Sequence, residues 1–124
     1  MTESTRILIV DDERGMCEFL QYALSGEGYD IDHANSSDEA LDRMAQAPFD
    51  IVITDIRMPG MDGLDMLRRI KESAPDVIVV VMTAYPSPEY ELKAVNYGAY
   101  QYLEKPIENP DVVLDIVRSL GEQR

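Results

Sequence analysis

Phe49-Asp-Ile-Val-Ile-Thr-Asp55-Ile-Arg-Met-Pro-Gly-Met-Asp-Gly63 decides how the rest of the chain reads. An apolar run, Ile51, Val52 and Ile53, stops at a carboxylate, Asp55, and a breaker-rich loop with Pro59, Gly60 and Gly63 follows. So short and β-branched a run suits a strand buried on both faces, which implies a parallel sheet. Ligands of open parallel sheets bind just beyond the carboxyl ends of the strands, where Asp55 falls. Taken alone, Asp55 could equally do no more than open a turn. The other strand ends decide between the two.

Outward from that stretch, Arg6-Ile-Leu-Ile-Val10 is a second apolar run that ends at carboxylates, Asp11, Asp12 and Glu13. Met16, Phe19, Leu20, Ala23 and Leu24 then recur at helical spacing through about residue 25, before Gly26 and Gly28. Tyr29, Ile31 and His33 alternate with Asp30 and Asp32, a strand with one wetter face. Ser36 with Glu39 is a capping-box pattern opening a helix whose buried stripe is Ala40, Leu41, Met44 and Ala45, closed by Pro48. After the Asp55 strand, a helix over about 64–73 turns Leu64, Leu67 and Ile70 inward with Met66 flanking. Val77 to Met82 is the purest strand and ends at Thr83. Ser87-Pro88 starts a helix that Gly98 stops, because proline at the first helical position sacrifices no hydrogen bond. Tyr100 to Leu103 is a fifth strand, leading to Lys105-Pro106. Asn109-Pro110-Asp111 opens a last helix with inner face Val113, Ile116, Val117 and Leu120, ended by Gly121.

Strict strand–helix alternation, without repeat or linker, implies an α/β fold: a parallel sheet with helices on both faces and right-handed crossovers. Five strands favour the flavodoxin-like doubly wound (βα)5 arrangement with strand order 2-1-3-4-5. That order sets Asp11, Asp12 and Asp55 side by side at the switch point. The 124 residues fit one domain, 1–124.

Acidic residues outnumber basic ones 24 to 11, for a net charge of −13. Such a domain is ill suited to grip nucleic acid directly, which takes positive surface to replace counterions. The acidity serves solubility, a cation site, or both. No apolar stretch approaches the roughly 20 residues that span a bilayer, and Met-Thr-Glu-Ser-Thr-Arg lacks the layout of a signal peptide. A cytoplasmic domain with no membrane contact is expected. Cys17 is the only cysteine, so an internal disulfide and a cysteine metal cluster are both ruled out. It reads as a small packing residue or a partly exposed thiol.

Asp11 and Asp12 follow strand 1, Asp55 strand 3, Thr83 strand 4 and Lys105 strand 5. Carboxylates about 4 Å apart repel by about 4 kcal/mol at an effective dielectric near 20. A hard divalent cation relieves that repulsion, and all-oxygen ligation suits Mg²⁺, with Mn²⁺ as a substitute. Lys105 brings a point charge suited to a phosphate oxygen, and Thr83 a hydroxyl donor. Carboxylate, cation and lysine on one spot are the equipment for phosphoryl transfer to an aspartate.

On these segments the chain resembles the receiver domain of bacterial two-component response regulators. The resemblance covers essentially the whole chain, through Ile7-Leu-Ile-Val-Asp-Asp-Glu13, Thr54-Asp-Ile-Arg-Met-Pro-Gly-Met-Asp-Gly63, Val81-Met-Thr-Ala84 and Gly98-Ala-Tyr-Gln-Tyr-Leu-Glu-Lys-Pro106. It is most similar to receivers of the nitrogen-regulatory, enhancer-binding class. The resemblance implies that Asp55 accepts a phosphoryl group from a phosphohistidine on a sensor kinase or phosphotransfer protein. It implies Mg²⁺ on Asp12, Asp55 and the backbone carbonyl of Arg57, with Asp11 assisting from behind these ligands or through water. Lys105 would hold the phosphate next to a cis bond to Pro106, Thr83 would move to hydrogen-bond it, and Tyr102 would turn inward behind it. The face of the fourth helix, fifth strand and fifth helix would report the state to an output domain or a second copy. Such a receiver promotes its own phosphorylation and dephosphorylation and has no separate substrate.

Arg57 lies two residues past Asp55 and Tyr85 two past Thr83, so both side chains can overhang the phosphate and set its lifetime. Pro86 and Pro88 depart from the family pattern and stiffen the loop into the fourth helix, a region that moves on activation. Tyr102 has an alternative as a half-buried strand aromatic, and Tyr90, Tyr97 and Tyr100 suit core or interface alike. His33 reads as a surface strand residue without a catalytic role, and Met58 and Met61 as packing or partner contacts beside the site. A flavodoxin-like cofactor binder would need a Ser/Thr/Gly-rich loop where Asp11-Asp-Glu-Arg14 stands. A metal-dependent phosphatase would need a second carboxylate at Arg57, and no P-loop pattern occurs. A receiver-like domain that binds partners without phosphorylation remains as the rival. The chain's end soon after the last helix fits a stand-alone receiver and a piece of a longer regulator equally.

Overall fold

Residues 4–123 are described by the computed structural model, in which five strands alternate with five helices. In order these are β1 (Arg6–Val10), α1 (Arg14–Leu24), β2 (Asp30–Ala34), α2 (Ser37–Gln46), β3 (Ile51–Asp55), α3 (Gly63–Ser73), β4 (Ile78–Thr83), α4 (Pro88–Asn96), β5 (Gln101–Glu104) and α5 (Asp111–Gln123). The strands form one parallel sheet in the order β2-β1-β3-β4-β5. This is the flavodoxin-like arrangement that the alternation predicts. No helix among the described residues is long and apolar enough to cross a membrane.

Pleating explains why the three inner strands are apolar at nearly every position, because successive side chains face opposite layers. Leu8, Val10, Val52, Val79 and Val81 pack beneath α2, α3 and α4 with Leu64, Met66, Leu67 and Ile70. Ile7, Ile9, Ile51, Ile53, Val80 and Met82 pack on the other side with Cys17, Leu20, Leu24, Val113 and Val117. Cys17 is therefore a packing residue. The two edge strands bury less, as an edge with one covered face should.

Local chemistry sets most helix ends. The Ser36 hydroxyl accepts from the backbone N–H of Glu39 at 3.1 Å, and the Glu39 carboxylate reaches back to the N–H of Asn35 at 2.8 Å. The reciprocal contact of the capping box thus lands one residue earlier than in its usual form. Ser87 caps α4 through the N–H of Tyr90 at 3.0 Å, with Pro88 at the first helical position. Gly98, at φ +93, supplies the left-handed residue just beyond α4.

Three expectations are corrected. The helix α5 does not end at Gly121 but continues to Gln123; a glycine inside a helix costs about 1 kcal/mol, too little to end one by itself. Ala45 is exposed, because Ala40, Leu41 and Met44 already complete the stripe of this short helix. Met66 does not flank the inner face of α3 but is fully buried in it. On β2, Asp30 and His33 are exposed, whereas Asp32 is half-buried and paired with Arg43 at 2.9 Å.

Candidate functional site

Parallel register brings the strand ends to one rim. Val10 pairs with Thr54, Asp55 with Met82, and Thr83 with Glu104, so the residues that follow β1, β3, β4 and β5 converge. Asp11 is fully buried, with its N–H donating to the carbonyl of Ala34 at 3.1 Å. Asp12, next in the chain, is exposed at the mouth. Asp11, Asp12 and Asp55 each offer a carboxylate oxygen, and these atoms all lie within 4.8 Å of one another. The donors are all oxygen and all anionic, which fits a hard divalent cation rather than a thiophilic metal.

Lys105 enters the cluster from the other side. Its Nζ lies 2.7 Å from Asp11 Oδ2, 3.2 Å from Asp55 Oδ2 and 3.6 Å from Glu13 Oε1. Its side chain is 6% exposed and that of Asp55 8%, so these charges meet in a poorly solvated place. Burial pushes the Asp55 carboxyl above its ordinary value; the charge of Lys105 opposes this without cancelling it, and the charge of Asp11 adds to it. Burial also pulls the Lys105 ammonium down, but hydrogen bonds and charge from Asp11 and Asp55 together outweigh it and hold the ammonium above its ordinary value. Three carboxylates against one ammonium leave the pocket short of positive charge.

The end of β3, where Asp55 sits, is held by hydrogen bonds. Thr54 Oγ1 donates to the carbonyl of Asp55 at 2.9 Å, and Ile56 N–H to Met82 O at 2.9 Å. Gly63 N–H donates to Ile56 O at 2.7 Å, and a Cβ added at Gly63 would run into the Asp55 carbonyl oxygen. That second role of Gly63 was invisible in the sequence, where it read as one more breaker. Met58 is buried and Met61 packs against the same core, so both belong to the loop's anchorage.

On the β4 side, Thr83 is fully buried, and its Oγ1 accepts from the N–H of Tyr85 at 3.0 Å. A hydroxyl that accepts in this way can still donate its own proton to an acceptor in the pocket. Tyr102 is half-buried, and its hydroxyl accepts from the N–H of Ser87 at 3.2 Å, which ties β5 to the start of α4. The Arg57 guanidinium lies 4.5 Å from the centroid of the Tyr85 ring, bridging the loops after β3 and β4. The Lys105–Pro106 bond is cis, as expected. His33 is exposed, with Nδ1 3.2 Å from the Gln21 amide nitrogen. Tyr90 and Tyr97 pack against the core under α4, whereas Tyr100 stays exposed. Glu13 as a third carboxylate beside Lys105 and the Ser87 N–H as partner of Tyr102 escaped the sequence reading, since both depend on loop geometry.

The response regulator receiver domain model matches residues 7–118. The chain belongs to that family. As a receiver it is a signalling domain rather than a classical enzyme. It is 40% identical to the transcriptional regulatory protein ZraR of Escherichia coli (strain K12) over 93% of this chain and 26% of that protein. It is 37% identical to the DNA-binding transcriptional regulator NtrC of Klebsiella pneumoniae over 91% of this chain and 24% of that protein. These relatives bear out the similarity to the nitrogen-regulatory class. The receiver thus spans about a quarter of the length of the curated relatives it matches. A receiver domain protein (CheY-like) from Methanospirillum hungatei JF-1 superposes with a TM-score of 0.89 at 32% identity, over 98% of this chain and 97% of that one.

Proposed function

We propose that this receiver is a cytoplasmic phosphorylation switch in which Asp55 is the phosphoacceptor. The observation that carries this reading is the single buried lysine shared by two carboxylates, 2.7 Å from Asp11 and 3.2 Å from Asp55, beside the exposed Asp12. A carboxylate oxygen of Asp55 attacks phosphorus, and the bond from phosphorus to the donor's imidazole nitrogen breaks. Its electron pair returns to the imidazole, and an acyl phosphate forms. Lys105 swings from carboxylate to phosphate oxygen and neutralises charge as it develops. Asp12, Asp55 and the backbone carbonyl of Arg57 would hold Mg²⁺ or Mn²⁺, with Asp11 assisting; the cation supplies charge neutralisation and orientation. The donor is a sensor histidine kinase or phosphotransfer protein, and the reverse loss to water needs no other substrate.

The state is read out by small contacts. The free proton of the Thr83 hydroxyl donates to the phosphate, and that pull is felt at Tyr85 N–H, which Thr83 already binds. Tyr102, whose hydroxyl holds Ser87 N–H, then settles inward and carries the start of α4 with it. Pro86 and Pro88 make that loop move as one stiff piece. Leu92 and Val95 on α4, 62% and 65% exposed, and Tyr100 beside β5 form the face offered to an output domain or a second copy. Arg57 and Tyr85 overhang the acceptor and slow attack by water. The net charge of −13 argues against direct DNA contact by residues 1–124, which we read as one domain.

Acetyl phosphate with Mg²⁺ tests this by mass. A gain of one phosphoryl group, absent in Asp55→Asn, is the expected result. No gain in the wild type, or an undiminished gain in Asp55→Asn, would overturn it and leave a receiver that binds partners unphosphorylated.

A further inference from the structure

We infer that Ser37 is a positioning residue for the divalent cation, because its buried hydroxyl pins the loop that carries the Arg57 carbonyl. The inference rests on the reading that this carbonyl is a cation ligand. Ser37 opens α2 and is 1% exposed. Its Oγ donates to the carbonyl of Met61 at 2.9 Å, across 24 residues of sequence. The helix has no use for that hydroxyl, since capping is done by the neighbouring Ser36 through Glu39 N–H. What Ser37 serves is the loop between β3 and α3.

That loop is fastened at its root, where Ile56 bonds both Met82 O and Gly63 N–H, and by the buried side chain of Met58. Those restraints lie within the β3–α3 unit and its sheet neighbour. The Ser37 bond comes from α2 and clamps the far limb at Met61. Arg57 sits between the clamped points, with its side chain exposed. A carbonyl ligand binds well only if its peptide is already in place, because ordering a residue on binding costs conformational entropy. Removing the hydroxyl would leave the Met61 carbonyl short of a donor and charge that ordering to cation binding. Partners that orient metal ligands commonly change affinity by about tenfold or more.

Calorimetric titration of Mg²⁺ into wild type, Ser37→Ala and Ser36→Ala tests this. Ser36→Ala removes the α2 cap and destabilises the helix by a different route while leaving the bond to Met61 intact. Ser37→Ala should weaken Mg²⁺ about tenfold, and Ser36→Ala should bind as the wild type does. With acetyl phosphate, the Mg²⁺ concentration for half-maximal phosphorylation should rise in Ser37→Ala by the same factor, and its shortfall in rate should vanish at saturating Mg²⁺. Unchanged affinity in Ser37→Ala, or equal weakening in Ser36→Ala, would overturn the inference. No Mg²⁺ uptake by the wild type would instead bring down the metal reading on which it stands.

Discussion

Lys105 Nζ lies 2.7 Å from Asp11 Oδ2, half an ångström closer than to the carboxylate of Asp55. The lysine is therefore bonded more tightly to Asp11 than to the proposed phosphoacceptor, Asp55. Asp11 is completely buried, and its other oxygen accepts from Glu13 N–H at 2.9 Å. It serves as a fixed post from which the ammonium can turn. Asp55 keeps the longer contact with the lysine, which on the proposed reading leaves it an oxygen for an incoming phosphorus.

Removing the lysine charge strands two buried carboxylates. Lys105→Met should cost about 3 kcal/mol of stability, in the range for breaking a buried ion pair by removing one partner. Denaturant unfolding at pH 7 without divalent cation measures the loss. Adding Mg²⁺ should recover part of it, because a cation that binds only the folded state stabilises by mass action. A midpoint within error of the wild type would contradict the buried triad.

The raised pKa of Asp55 has a sign that can be checked. Its folded value stands above its unfolded one, so its contribution to stability is present below the unfolded pKa of about 3.9 and is lost as pH rises through the folded value. At neutral pH without metal, ionised Asp55 is thus a liability. Asp55→Asn should be more stable than the wild type by about 1 kcal/mol, the usual size of such relief. The gain should shrink as pH falls through the window between the two values. Paired thermal melts from pH 4 to 8 in chelator would show it; a gain that grew on acidification would contradict the shift.

Arg57 and Tyr85 should behave as a unit. Their stacking, 4.5 Å from guanidinium to ring centroid, is worth about 0.5–1 kcal/mol at an exposed site. If the pair shields the acyl phosphate, Arg57→Ala, Tyr85→Ala and the double variant should all shorten its lifetime by similar factors rather than multiply. Phosphate release after removal of the donor is the measurement. Equal rates in wild type and double variant would exclude the shield.

Gly63→Ala is the smallest change expected to harm the site. The added methyl would meet the Asp55 carbonyl oxygen, a backbone atom that cannot step aside. Overpacking of this kind costs about 1–3 kcal/mol. The β3 end would shift to relieve it, so the variant should also take up Mg²⁺ more weakly. Wild-type stability in Gly63→Ala would show that the α3 start has slack that the structure does not display.

Much of this was legible from local pattern. Apolar runs ending in Asp11, Asp55, Thr83 and Lys105 mark strands and their rims, because a parallel sheet buries both faces and exposes its chemistry only where the strands stop. Ser36 and Ser87 announce helix starts, since a side-chain oxygen beside free N–H groups is a short-range matter. Gly121 misled because one glycine is a weak stop against the packing of α5. The pairing of Asp32 with Arg43 on the following helix depends on packing and shows in no alternation along the strand.

What the sequence determined by itself is the order of elements, the sheet they form and the list of groups at its rim, all of which follow from periodicity and from where each run breaks. Only the tertiary structure decided how those groups divide one another: that Lys105 favours Asp11 over Asp55, that Tyr102 holds Ser87, that Gly63 touches the Asp55 carbonyl, and that Ser37 clamps Met61. Each of these joins residues on different elements or loops through a hydrogen bond or contact only a few ångströms long. Distances of that size are set by how loops and layers close on one another, and no spacing along the chain encodes them.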